Sequence, residues 1–151
     1  VNCGTEAQRE EVLAEFYQRW QHEPLVVNQW LQVQALCPQP GNVERVRALM
    51  DNPIFDMRNP NKVRSLIGGF CSANPSNFHR ADGAGYDLLF EVVSVLNDSN
   101  PQIASRLLTP LTRWRRYGER SGQMQQALKK IAALSALSKD VFEVVNKSLA
   151  E

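Results

Sequence analysis

Apolar residues recur every three to four positions along almost the whole chain, the spacing of amphipathic helices. Val12, Leu13, Phe16, Tyr17 and Trp20 fall on one stripe, and Thr5 with Gln8 forms a capping box ahead of them. Leu25, Val26, Trp30, Val33 and Leu36 repeat the pattern behind Pro24, a residue suited to a first helical turn. Val43, Val46 and Met50 follow Gly41-Asn42, and Val63, Leu66, Ile67 and Phe70 follow Asn59-Pro60. A short helical turn is predicted from Pro75 to His79, and the DGAG stretch at 82 to 85 reads as a loop that caps the helix carrying Leu88, Leu89, Val92, Val95 and Leu96. A further helix spans 101 to 117, kinked or divided by Pro110. Met124, Leu128, Ile131 and Leu134 mark the next, and Ser138 opens the last, through Val141, Val145 and Leu149. No alternating apolar run bounded by turns argues for a strand. About eight helices of roughly 9 to 17 residues, joined by short turns, predict an all-α fold: an irregular HEAT-like α-solenoid, a superhelical array of antiparallel helices. No strict sequence period is visible, so the pairs depart from consensus repeats.

Asn-Pro occurs four times, at Asn52-Pro53, Asn59-Pro60, Asn74-Pro75 and Asn100-Pro101. Asparagine can accept a hydrogen bond from a free first-turn N–H, and proline next to it lacks the donor that would go unpaired. At least three copies are therefore expected to open a helix or helical turn, at Pro60, Pro75 and Pro101.

Composition narrows the function classes. At 151 residues and 43% hydrophobic content the chain can bury a sizeable core, and a net charge of +1 provides no global field toward nucleic acid or an anionic membrane. Cys3, Cys37 and Cys71 are odd in number, widely spaced and accompanied by only two histidines, which fits reduced, packed thiols in a reducing compartment. No apolar run reaches the length of a membrane span, and no basic-then-apolar signal segment is present. The chain opens with Val1, which fits either an excised domain or a processed product.

Catalytic motifs are missing. The sequence contains no H-E-x-x-H, no G-x-S-x-G and no phosphate-binding G-x-x-x-x-G-K-[ST]. Cys71 and His79 lie eight residues apart across a helix break and read as a packed thiol beside a structural histidine rather than a nucleophile and its base. RWRRY at 113 to 117, extended by Arg120, is the densest basic patch. It reads first as a solvated helix end, with its cations at a C-terminus and Trp114 turned inward, and second as a phosphate contact.

The segments NPNKVRSLI and NPQIASRLL place Arg64 and Arg106 at nearly the same distance behind an Asn-Pro start. Gln102 and Arg106, four residues apart, share a helix face and can present an amide and a guanidinium to one ligand. The competing reading has both arginines paired with acidic side chains, tying helices together.

At NPNKVRSLIGGF, NPSNFHRADGAGYDLLFEVV and NDSNPQIASRLLTPLTRWRRY the chain resembles the C-terminal domain of bacterial aminopeptidase N, the alanyl aminopeptidases of the gluzincin class. The likeness extends through EPLVVNQWLQVQA and SKDVFEVVNKSLA, nearly the whole sequence. It implies a linker over residues 1–4 and a single helical domain over 5–151, belonging to a larger zinc-dependent, broad-specificity, cytoplasmic enzyme. That enzyme removes residues from peptides with a free N-terminus. The implied role is non-catalytic: the domain covers the active-site chamber of the catalytic domain of the same parent chain, limits access, and lines part of the pocket for the N-terminal side chain. The one zinc ion and its ligands belong to the catalytic domain, so no cofactor is expected in this segment, and neither nucleic acid nor membrane is an expected partner. Carried over by position, Gln102 reaches the side-chain pocket, Arg106 faces the chamber, and Arg64 stands in the corresponding place of the earlier helix, as chamber wall or helix tie. Asn28 and Gln29 depart from the charged pair that relatives often carry. The alternative from a different class is a free-standing α-solenoid that binds a protein segment.

Overall fold

A computed structural model describes residues 2–150. The described residues are helical, with turns and no strand. Val1 and Glu151, at the outer ends of the expected linker and helical domain, lie outside them. Compactness divides the chain between Asn77 and Phe78 into two units.

The first unit is built around α2 (Pro24–Ala35), against which α1 (Glu6–Trp20), α3 (Asn42–Met50) and the helix at 60–73 all pack. The Thr5 capping box forms as expected: Gln8 N–H donates to Thr5 Oγ1 at 3.3 Å and Thr5 N–H to Gln8 Oε1 at 3.1 Å. Because α2 is contacted from several sides, its buried set is Val27, Trp30, Leu31 and Ala35, which shares only Trp30 with the predicted stripe; Val26, Val33 and Leu36 are half-buried and Leu25 is left 77% exposed. The predicted stripe of α1 is likewise only half used. Leu13 is buried and Tyr17 half-buried against Trp30, at 4.8 Å between ring centroids, whereas Val12, Phe16 and Trp20 face outward.

The helix at 60–73 begins as α4 (Pro60–Val63), widens into a π turn (Arg64–Gly68) and resumes as α5 (Gly69–Ala73). It buries Val63, Leu66, Ile67, Phe70 and Cys71, and at Gly69 a Cβ would stand only 3.5 Å from the Ala35 Cβ of α2. Residues 2–4 are anchored to this unit. Asn2 Nδ2 donates to Val33 O at 2.9 Å, and Gln39 Nε2 donates to Gly4 O at 3.4 Å.

A buried asparagine network closes the end of α2. Asn74 Nδ2 donates to Ala35 O at 2.9 Å and Cys37 O at 2.7 Å, Asn42 Nδ2 to Ala35 O at 3.1 Å, and Asn77 Nδ2 to Gln39 O at 3.1 Å. Carbonyls that a helix end leaves without partners thereby find donors. The Asn-Pro expectation holds as to position, since helical segments open at Pro60, Pro101 and, in α6 (Pro75–Phe78), at Pro75. Asn59 and Asn100 cap with their side chains; Asn74 reaches back to α2 instead.

In the second unit α7 (Ala84–Ser99), α8 (Pro101–Leu107), α11 (Lys139–Ala150) and α10 (Ser121–Ala132) form a ring in which each packs on the next. Gly83, at φ +77°, and Asp82, whose Oδ1 accepts from Ala84 N–H at 3.1 Å, open α7 as the DGAG reading predicts. Pro110 divides the helix predicted over 101–117: α8 stops at Leu107, α9 (Thr109–Thr112) follows, and Trp114–Arg116 form a 3-10 turn. Joined segments counted together, the eight longer predicted helices are all present. The fold is all-α, of the HEAT-like kind expected.

Candidate functional site

Gln102 and Arg106 ride on α8, which Asn100 and Pro101 start: Asn100 Oδ1 accepts from Ile103 N–H at 3.3 Å. Ile103, Ala104, Leu107 and Leu108 sink into the core of the second unit, against α7 and α11. Burial of one stripe fixes the other, so Gln102 and Arg106 stand exposed one turn apart on the outer face. Neither side chain has a hydrogen bond or ion pair with the described residues. No acid among the described residues ties Arg106 to another helix.

Arg64, in the first unit, opens the π turn and is exposed. Its Nη1 donates to Asn61 Oδ1 at 3.3 Å, and Asn59 Oδ1 holds the preceding turn by accepting from Asn61 N–H at 3.1 Å and Lys62 N–H at 3.3 Å. An amide, not a carboxylate, is its recorded partner, so Arg64 is no acid-paired tie either. Gln102 and Arg106 are brought together by one helix; Arg64 belongs to the other unit.

The basic cluster has a local job. Trp114 Nε1 and Arg115 Nη1 donate to Ser148 O at 3.3 and 3.0 Å, and the Arg115 guanidinium lies 4.0 Å over the Trp114 ring. Arg115 and the Trp114 indole thus satisfy one C-terminal carbonyl of α11, that of Ser148, on a different helix from the one the sequence reading assigned the cations to. Cys71 is 4% exposed and burial pushes its thiol well above the ordinary range, which removes it as a nucleophile.

One constellation escaped sequence reasoning. Tyr86 Oη and His79 Nδ1 are hydrogen-bonded at 2.6 Å, Tyr117 stacks on the imidazole at 4.2 Å, Phe78 meets Tyr86 edge-on at 5.2 Å, and Arg120 Nε donates to His79 O at 3.0 Å. Burial, aided by Arg120, lowers the His79 pKa, and burial lifts Tyr86 to about 12. A neutral imidazole hydrogen-bonded to a neutral phenol is the consistent pairing. Tyr86 and Arg120 lie seven and 41 positions from His79, with no periodic signal to join them.

Among the described residues no three His, Cys, Asp or Glu side chains come close enough to hold a metal ion. No helix among them is long and apolar enough to cross a membrane.

Residues 1–150 match the family described as a domain of unknown function, DUF3458_C, with ARM repeats. The chain is 43% identical over 142 residues to aminopeptidase N of Haemophilus influenzae, covering 93% of this chain, and 42% identical over 143 residues to that of Escherichia coli, covering 94%. It spans 16% of the length of each of those curated relatives. Among solved structures it superposes on aminopeptidase A of Legionella pneumophila, crystallised with aspartic acid, at a TM-score of 0.90 and 36% identity, covering 96% of this chain and 17% of that one. The chain belongs to the DUF3458_C family of ARM-repeat domains and corresponds to a C-terminal portion of aminopeptidase N-like proteins.

Proposed function

We propose that this chain is the non-catalytic C-terminal domain of a zinc-dependent aminopeptidase, cytoplasmic as the resemblance implies. It covers the active-site chamber of the catalytic domain, limits access to peptides with a free N-terminus, and lines part of the pocket for the N-terminal side chain with Gln102 and Arg106. Arg64 is a further candidate contact to the substrate, on the first unit. The observation that carries the reading is the unpaired, outward Gln102–Arg106 couple on a helix whose opposite stripe is locked in the core. An exposed amide and guanidinium one turn apart offer a planar donor set to a peptide carbonyl or carboxylate, with little reorganisation because the helix is fixed. Closing a chamber with such a wall excludes bulk water and orients the substrate, while bond cleavage stays with the catalytic domain and its metal.

The test is made in the longer protein. Gln102→Ala is expected to change relative kcat/KM among substrates with different N-terminal residues while leaving Tm within a few degrees. Unchanged relative kcat/KM would refute the pocket role. Arg106→Ala is expected to slow turnover of longer peptides more than of a single-residue chromogenic substrate. The 151-residue chain by itself is expected to leave an alanyl chromogenic substrate intact, and zinc-dependent turnover by the pure chain would refute the non-catalytic assignment.

A further inference from the structure

The face of Gln102 and Arg106 does not end with α8. Leu108 keeps a right-handed helical backbone, at φ −77° and ψ −12°. Thr112 N–H donates to Leu108 O at 3.2 Å and Arg113 N–H to Pro110 O at 3.4 Å, so the turn carries across the break into α9. Gln102, Arg106, Thr109 and Arg113 fall at i, i+4, i+7 and i+11, and all four are exposed. At 1.5 Å of rise per residue the row is about 16 Å long. α8 and α9 both pack on α11, and a groove of about 320 Å³ opens beside the row, lined by Thr109, Thr112, Val144, Lys147 and Ser148.

None of these lining residues is acidic. Thr112 Oγ1 already donates to Thr109 O at 2.6 Å, and Ser148 Oγ to Thr112 O at 3.4 Å. The exposed Lys147 ammonium and Arg113 guanidinium have no hydrogen bond or ion pair with the described residues. The negative pole of α11, which would repel an anion at this end, is offset at Ser148 O by Trp114 Nε1 and Arg115 Nη1. The groove therefore presents free cations at a helix end whose own charge is already met.

We infer that this groove holds a carboxylate of the peptide substrate, several residues downstream of its N-terminus, and that Lys147 and Arg113 set a preference for peptides that are acidic there. An extended peptide advances about 3.3 Å per residue. One whose first side chain meets Gln102 thus brings about its fifth residue between Thr109 and Arg113, which lie about 10 and 16 Å along the row. The carboxylate is that of an Asp or Glu side chain or of the peptide's own C-terminus; either offers two oxygens to an ammonium and a guanidinium. The inference rests on the reading of Gln102 as part of the pocket for the N-terminal side chain, and adds to it a second, anionic contact.

The test measures kcat/KM of the longer protein for pentapeptides of four alanines followed by Glu or Gln, each as the C-terminal amide, and for the Gln peptide as the free acid. Glu is expected to be favoured over Gln about three- to tenfold, the scale of one or two solvent-exposed charge pairs. Lys147→Gln and Arg113→Gln should each move that ratio toward one, and Lys147→Arg should keep it. A gain for the free acid over the amide that the same variants remove assigns the groove to the terminal carboxylate; a gain for Glu alone assigns it to the side chain. A parent protein that favours neither carboxylate overturns the inference. So does an equal fall in the ratio for Lys129→Gln, an exposed cation of α10, because a general field then acts instead of the groove. Gln102→Ala separates the two readings, since it should shift the preference for the first residue without moving the Glu-to-Gln ratio. A ratio that Lys147 controls while Gln102→Ala changes nothing refutes the pocket role alone, and the reverse refutes the groove alone.

Discussion

Gly85 and Gly122 occupy the second position of α7 and α10, in the same unit, yet alanine should act oppositely at the two. Alanine in a helix ordinarily stabilises by about 0.4–1 kcal/mol, through propensity and a less flexible unfolded chain. At Gly122 nothing lies within 4 Å of the added Cβ, so that gain is expected in full. At Gly85 the Cβ would fall 2.2 Å from Phe78 O and 2.8 Å from both Phe78 C and Cα. These are backbone atoms of a residue that is itself fully buried and held edge-on against Tyr86, so no flexible side chain can swing aside. The chain must move by about 1 Å, and overpacking of this kind costs about 1–3 kcal/mol. For a domain of this size each kcal/mol shifts Tm by about 2–4 °C. Gly85→Ala is therefore expected to melt about 2–12 °C lower than the parent and Gly122→Ala about 1–4 °C higher, followed by far-ultraviolet circular dichroism. A Gly85→Ala protein that melts at or above the parent temperature would show that α7 and Phe78 are not in this close approach.

Three further outcomes follow from the burial and titration pattern. Only Cys3 is exposed, so one thiol is expected to react with a disulfide reagent in the native chain and three after denaturation; two or more native thiols would contradict the burial of Cys37 and Cys71. His79 titrates below its ordinary 6.5 in the folded state, so on acidification the unfolded chain takes up the proton first, and stability is lost as pH falls below about 6.5 until the folded site also protonates. His79→Gln should flatten that part of the stability–pH curve measured by urea unfolding, and an unchanged slope would refute it. Ala136, at φ +56°, is the non-glycine residue the chain holds in the left-handed region, so Ala136→Gly should raise stability by up to about 1 kcal/mol; a clear loss of stability would mean that the strain is absent.

What could be read from the residues was what is decided within one turn. The Thr5–Gln8 box, the caps by Asn59 and Asn100, and the break at Pro110 all depend on partners two to four positions away, and all appear in the fold. Asn74 looked identical to Asn59 and Asn100 in sequence. Its side chain donates instead to the buried carbonyls of Ala35 and Cys37, 39 and 37 residues earlier, which Asn42 and Asn77 also reach. The end of the predicted 101–117 helix failed for a related reason: Trp114 and Arg115 are drawn to Ser148, more than 30 residues onward, and the chain leaves the helix at Arg113 to get there.

The same distinction bears on the candidate site. That Gln102 and Arg106 share a face follows from their spacing; that the face is free does not, because an acidic partner could have come from any other helix. α8 buries its opposite stripe and leaves this one exposed, with no partner among the described residues. The α1 stripe shows the converse. Five apolar residues predict a buried face, and the chain buries only the part that meets α2, because one neighbour cannot cover two sides of a helix. A desolvation driving force of about 25 cal/mol per Å² acts on whatever apolar area remains. Val12, Phe16 and Trp20 are therefore the side chains on which that force presses for a further contact.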